Sequence, residues 1–425
     1  MQSLLVVVAF PVFIDAYKNR LDGNILSENL KIDFTIFLTV FDYTGEIKKK
    51  MNVAVMYGGR SGEHEISLVS AAAIARGLGK NHTVTLIGIA NDGKWYLQPE
   101  SEYTRICTQS NSPLKIDENP ENELFIVPAG KNKCFKTANK SLAIDIVFPV
   151  LHGSYGEDGT IQGLFEMADI AYVGCGTLAS ALAMDKEKAK QIVEASGIKI
   201  VPYICIKRCD LNDSNRYDEL FKKAVDTLGF PMFVKPCCAG STNGVNRVEN
   251  EKGLSYALME AFSWDDKVLI ETAVDAREIE CSVTGNAVSA SMENEAEIVT
   301  AYIPGEINPT HTFYDFDAKY TDPDGAHITI PADLSVDMEE TVRVAAARIY
   351  KLLDCSGLSR VDFFIDRQTD ELYFNEINTM PGFTPISMFP KMCAEAGLDF
   401  ESLLERLLTQ GLARYNSKNA LQTSR

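Results

Sequence analysis

Residues 144–150, Ile-Asp-Ile-Val-Phe-Pro-Val, are largely apolar on both faces of an extended run, the pattern of a strand buried between two layers. Such a strand needs helices above and below it, as in a parallel sheet built from strand–helix units. The flanking sequence supplies them. Asn52–Met56 reads as a strand, Glu63–Leu78 has helical periodicity, and Thr83–Ile89 reads as a strand closed by the Asn91-Asp-Gly-Lys94 turn. Gly163–Ala168 and Ile170–Val173 follow as helix and strand. The alternation predicts an α/β unit with an open parallel sheet over residues 51–180.

The pattern then changes. Asp185 is placed to cap a helix that runs to Ala195, and Tyr217–Thr227 is helical. Phe230–Pro236 and Val245–Val248 read as two strands joined by a small-residue loop, Cys237–Gly244. Strand–loop–strand is a hairpin, unlike the strand–loop–helix of a nucleotide P-loop. Lys267–Glu271, Glu278–Val283, Phe363–Ile365 and Leu372–Glu376 read as further strands, and Val336–Leu353 and Leu398–Leu412 as helices. Beyond residue 180 strands and helices no longer alternate strictly. Met1–Ile14 is apolar with no basic residue before Lys18, and the segment to Tyr43 is irregular in pattern; residues 1–50 read as an appendage to a working protein that begins near Met51, with an N-terminal anchor as the alternative.

Composition removes several classes. With 59 acidic and 41 basic residues the net charge is −18, which argues against nucleic acid as a bulk partner. Ten cysteines with no CxxC pair and no matching histidines fit reduced thiols in a cytoplasmic protein better than a disulfide or zinc framework. No run of uncharged apolar residues has the length of a membrane span.

Four segments carry chemistry. His152-Gly-Ser-Tyr-Gly-Glu-Asp-Gly159 follows the buried strand directly, the position at which α/β sheets bind ligands. Gly58–Glu65 repeats that arrangement after the first strand, with Glu63, or its neighbour Glu65, able to meet a ligand amine. The loop after Lys235 offers backbone N–H groups to phosphate oxygens, and Lys235 and Lys186 supply charge. The fourth segment holds Arg360 and Asp362 at the start of one strand and Glu376 and Asn378 at the end of its hairpin partner. Alternate strand residues share a face, so two acids and an amide converge as hard oxygen donors suited to magnesium. Thr379-Met-Pro-Gly-Phe383 follows as a turn whose N–H groups can face an oxyanion. Gly174-Cys-Gly-Thr-Leu-Ala179 matches a dinucleotide fingerprint but lacks the second strand and acid that it requires.

Together, His152–Gly163, Ser359–Asp362 and Asn375–Thr384 resemble the signatures of the D-alanine–D-alanine ligases of the ATP-grasp superfamily, from about Met51 to Leu412. The resemblance implies an N-terminal parallel-sheet domain followed by a two-lobed, α+β ATP-grasp fold that grips ATP, with a central lobe at 181–270 and a C-terminal lobe at 271–415. It also implies two magnesium ions, with manganese as a substitute, a homodimer, small-molecule substrates and no membrane or nucleic-acid partner. The implied reaction phosphorylates one D-alanine and joins it to a second, for peptidoglycan precursors. D-serine as acceptor, or a non-catalytic nucleotide-binding regulator, are the alternatives. By the resemblance, Glu63, Ser241, Tyr320, Arg360 and Gly382 serve catalysis, and His152, Ser387 and Met388 touch substrate. Lys186, Lys235, Glu271, Val274, Glu278 and Lys319 bind the nucleotide, and Asp362, Glu376 and Asn378 hold the metals. Phe313–Tyr320 resembles the family's mobile loop. Phe316, Cys237-Cys238 and Thr272 depart from the residues more usual in the family.

Overall fold

The stretch Asn52–Gly58 forms strand β1, whose residues Val53 to Tyr57 are fully buried. The structure, a computed structural model, describes residues 50–110, 112–240, 242–288, 298–309 and 326–422. Strand β2 (Thr83–Ile89) pairs with β1 in parallel, and β3 (Trp95–Leu97) adds an antiparallel edge. A small ribbon, β4 (Phe125–Ile126) and β5 (Phe135–Lys136), precedes β6 (Ile146–Val150) and β7 (Ala171–Tyr172), which extend the parallel sheet. The order is β3-β2-β1-β6-β7. Helices α1 (His64–Leu78), α2 (Glu100–Thr108), α3 (Thr160–Ala168) and α4 (Thr177–Met184) belong to this part of the chain.

The loops that end β1 and β6 are tied to one helix. The Ser67 hydroxyl on α1 accepts from Gly58 N–H at 2.8 Å and donates to the Val150 carbonyl. It thereby satisfies two backbone groups where the ladders stop, and sets the Gly58–Gly62 and His152–Gly159 loops side by side.

Helix α5 (Lys186–Ala195) starts at the expected cap, with the Asp185 side chain accepting from Lys188 N–H at 3.1 Å. Beyond it an antiparallel sheet in the order β10-β9-β11-β8 is built from β8 (Tyr203–Lys207), β9 (Met232–Pro236), β10 (Asn246–Val248) and β11 (Lys267–Thr272). It packs with α6 (Ser214–Leu228) and α7 (Glu251–Trp264) around a separate apolar cluster.

The third sheet is also antiparallel. It contains β12 (Ala276–Asn286), β13 (Thr300–Ala301), β14 (Gly305–Pro309), β15 (Ala326–Thr329), β16 (Ser356–Asp366) and β17 (Leu372–Asn378), with α8 (Val336–Leu352), α9 (Met388–Glu395) and α10 (Phe400–Asn419). Two sequence expectations need correction. Strand β16 begins at Ser356, so Arg360 and Asp362 lie in its middle and not at its start. Ser359, Arg360 and Asp362 interrupt the apolar pattern and hide the strand's first half. The last helix continues to Asn419, seven residues past the expected end, on a polar final turn.

The first and third sheets share a core. Phe383, after β17, meets Phe148 of β6 edge-on at 6.3 Å between centroids, Phe389 of α9 at 5.6 Å and Phe400 of α10 at 6.1 Å. Where the two sheets approach, backbone touches backbone. Gly357 sits at φ +73°, and a Cβ there would stand 2.9 Å from the Gly174 Cα. Gly357→Ala is expected to lower stability by about 2–5 kcal/mol, from left-handed strain and overpacking together. A shift of the urea midpoint to lower concentration checks it.

Candidate active site

Glu63 caps α1 and is buried. Two glycines border its carboxylate: a Cβ on Gly153 or on Gly240 would fall inside it. Gly153, at φ +71°, belongs to the β6 loop, and Gly240 to the β9–β10 hairpin loop. The first and second sheets therefore both deliver backbone to this acid, and only glycine permits the approach.

His152 is buried beside it, but both ring nitrogens are spent on the protein. Nδ1 lies 2.9 Å from the Met380 carbonyl, and Nε2 lies 3.3 Å from Ser70 Oγ. A carbonyl only accepts, so Nδ1 carries the proton, and Nε2 accepts from the Ser70 hydroxyl. Ser70 Oγ in turn accepts from Phe383 N–H at 3.2 Å. Burial lowers the His152 pKa below its ordinary value, against opposing pulls from Glu63 and the Met380 carbonyl. The neutral ring is the form that this hydrogen-bond chain requires.

Glu157 completes the clamp. Its Oε2 accepts from Gly153 N–H at 2.9 Å and its Oε1 from Met380 N–H at 2.8 Å. Desolvation and the charge of Glu63 push Glu157 up to about 8, against the lowering effect of those two donors. The turn after β17 is thus pinned residue by residue. Met380 N–H goes to Glu157, Phe383 N–H to Ser70, and Thr384 N–H to Ser387 Oγ at 3.0 Å. Pro381 has no N–H. Among the described residues no backbone carbonyl accepts from Gly382 N–H.

The third sheet carries the charged face. Register pairs Glu280 with Asp362 and Asp362 with Glu376, a row of three acids across β12, β16 and β17. The adjacent row is Ser282, Arg360 and Asn378. A β-bulge makes the alignment. Asp362 pairs with Glu376 but Phe363 pairs with Phe374, so Asn375 is extra. Phe374 and Ile377 both enter the core while Glu376 points to the site, which a regular strand would not allow.

Basic groups match these acids. Arg360 binds Asp362 through two bonds, Nε to Oδ1 at 2.7 Å and Nη2 to Oδ2 at 2.6 Å, and its Nε is 3.0 Å from Glu280 Oε2. Burial opposes the arginine's charge, but Asp362 and Glu280 outweigh it and raise its pKa. Lys186 Nζ lies 3.2 Å from Glu376 Oε2, and Asn378 Nδ2 donates to Asp362 at 2.9 Å. Among the described residues no three acid, histidine or cysteine side chains are arranged to hold an ion as they stand. The expected set of Asp362, Glu376 and Asn378 is nonetheless contiguous, hard and oxygen-bearing. That fits a magnesium ion that takes its other ligands from phosphate.

The lysines cluster opposite. Lys186 also donates to the Ala239 carbonyl at 2.9 Å, in the hairpin loop. Lys235 Nζ is 2.6 Å from Glu271 Oε2, and fully buried Lys190 is 2.9 Å from Glu271 Oε1. Desolvation would raise the Glu271 pKa, but Lys190 and Lys235 hold it at about 2. The Glu271 side chain is thus a counter-ion, and its residue lies within the sheet between Tyr203 and Phe233. Val274 lies where the chain leaves β11 for β12, and Glu278 is half-buried on β12.

Ser387 caps α9, and its hydroxyl lies 2.8 Å from Thr384 Oγ1. The Met388 side chain is buried with Ile307 and Met392. Ser241, Lys319 and Tyr320, with the Phe313–Tyr320 segment, lie outside the described residues. Sequence reasoning missed Lys190, Glu280 and Ser70. Lys190 stands one helical turn from Lys186, and Glu280 two strand positions from Glu278, so periodicity could have found both. Ser70 carried no signal.

Comparison with known proteins agrees with this geometry. The family profile "D-ala D-ala ligase N-terminus" matches residues 52–175, and "D-ala D-ala ligase C-terminus" matches 192–409. The chain is 48% identical over 376 residues to a D-alanine–D-alanine ligase of Treponema denticola, covering 88% of this chain and 100% of that protein. It is 42% identical to D-alanine–D-alanine ligase A of Bradyrhizobium diazoefficiens, over 88% of this chain and 98% of that one. Among solved structures, the D-alanine–D-alanine ligase of Coxiella burnetii superposes with a TM-score of 0.71 at 31% identity, covering 87% and 96% of the two chains. The VanG D-Ala:D-Ser ligase of Enterococcus faecalis gives 0.69 at 33%, covering 85% and 100%.

The clamp has a pH signature. The folded pKa of Glu157 stands near 8, above its ordinary 4.5. The folded state therefore holds a proton that the unfolded state releases, and stability falls as pH rises between those values. Glu157→Gln is expected to flatten the decline in melting temperature between about pH 5 and pH 8. A slope identical to that of the wild type would place the titration elsewhere.

Proposed function

Since the chain belongs to the D-alanine–D-alanine ligase family, we propose that it joins two D-alanines at the expense of ATP, supplying peptidoglycan precursor synthesis. One observation carries the reading at this site. A turn fixed on both sides by Glu157, His152 and Ser70 keeps the N–H of Gly382 for a ligand, beside the loop that holds Glu63. Such a donor suits an oxygen that gains negative charge.

In the reaction, a carboxylate oxygen of the first D-alanine attacks the γ-phosphorus of ATP and ADP leaves. The amine of the second, having lost its proton, attacks the resulting acyl carbon, and inorganic phosphate leaves as the amide bond forms. Glu63 holds the first substrate's ammonium. Arg360 and Gly382 N–H receive the oxyanion of the tetrahedral adduct. His152 holds the turn by Met380 and through it orients Gly382, while Ser387, Met388, Ser241 and Tyr320 meet the substrates. Lys186, Lys235 and Lys319 meet phosphate oxygens, Val274 and the backbone of Glu271 the base, and Glu278 the ribose. Asp362, Glu376 and Asn378 would hold two magnesium ions, or manganese in their place, which neutralise charge on the transferring phosphoryl group. Holding and positioning, with little covalent help, is what phosphoryl transfer asks of a protein.

The three-part division at 51–180, 181–270 and 271–415, a homodimer and a cytoplasmic location complete the proposal. ADP release in the presence of ATP and single amino acids tests it. D-alanine alone is expected to support turnover and L-alanine is not. A tenfold preference for D-serine as acceptor would change the product assignment. Glu376→Gln is expected to abolish turnover with an unchanged circular dichroism spectrum, and near wild-type rates in that variant would remove the metal site.

A further inference from the structure

Arg360 has to serve two purposes. It neutralises Asp362 in this structure, and in the reading above it faces the oxyanion while Asp362 turns to the metals. A guanidinium that loses its bidentate partner would swing freely unless another group held it. Glu280 stands in the right place. It is 6% exposed, it lies directly across the ladder from Asp362, and its Oε2 is 3.0 Å from Arg360 Nε. It is not among the residues expected to hold metal or nucleotide.

We propose that Glu280 is a positioning residue for Arg360. Its Oε2, 3.0 Å from Nε, accepts the Nε–H when Asp362 is drawn to the metals, so that the two terminal nitrogens stay aimed at the tetrahedral adduct. The geometry separates the two acids' tasks. Asp362 contacts both Nε and Nη2, and its departure frees Nη2 for an incoming oxygen. Glu280 contacts the nitrogen nearest the aliphatic stem, the one whose retention fixes the plane of the group without blocking its outer edge.

The proposal rests on the ligase reading, and the experiment separates their failures. Wild type, E280Q, R360K and the double variant are compared as full-length protein for D-alanine-dependent ADP release. Mn2+ affinity in the presence of ADP is measured by electron spin resonance without turnover. E280Q is expected to lower kcat about 10- to 100-fold, as a misplaced catalytic group does, with KM for ATP and Mn2+ affinity each changed less than about twofold. Acting through Arg360, it should add almost nothing in the double variant, whose rate should match R360K within about threefold. An unchanged kcat in E280Q, losses that multiply in the double variant, or a tenfold loss of Mn2+ affinity would each overturn the proposal. Should E280Q fail to fold, E280D in the wild-type and R360K backgrounds decides the same question. A wild type inactive with D-alanine would sink the ligase reading, and this proposal with it.

Discussion

Three carboxylates set side by side on one sheet face repel one another, and the site exists because cations share them. Arg360 takes Asp362 and Glu280, and Lys186 takes Glu376. Breaking a buried ion pair costs more than the pair contributes. The arrangement is therefore less a source of stability than a store of charge held in position. In the proposed reaction, phosphate oxygens and divalent ions would meet charges already set in place.

A second charge system stands behind the first. Lys190 and Glu271 are both buried, and Lys235 joins them from the next strand. Two positive groups on one acid leave the trio with a net positive charge, and Lys235 belongs to the strand that leads into the hairpin loop. That loop also receives Lys186 through the Ala239 carbonyl. A surface biased in this way attracts an anion even though the chain as a whole carries −18. Overall acidity argues against a bulk polyanion but says nothing about a local cluster of lysines.

Much of the site was legible because its parts sit at element ends, where turn chemistry shows in sequence. The Asp185 cap, the hairpin around Cys237–Gly244 and the glycine loops after β1 and β6 were all readable from local pattern. The remainder depends on contacts between residues far apart in the chain. His152 and Met380 are 228 positions apart, and no local pattern reveals that the histidine's ring is occupied by a backbone carbonyl. Periodicity places Lys190 on the face of Lys186, but its ion pair with Glu271 spans 81 positions of the chain. The first half of β16 is hidden because its polar residues, Ser359, Arg360 and Asp362, break the apolar alternation that marks a strand. Site residues disturb the very signal by which their element is recognised.

The bulge at Asn375 makes Glu376 available to the site while Phe374 and Ile377 remain in the core. Its consequence is a constraint on how this gene can drift. Exchanging one amino acid for another along β17 alters a single contact. Losing or gaining one codon there turns every later side chain to the opposite face, driving a carboxylate among phenylalanines and an apolar residue onto the charged face. Natural variation in this hairpin should thus accumulate at its tip, between Asp366 and Glu371, where length is free to change.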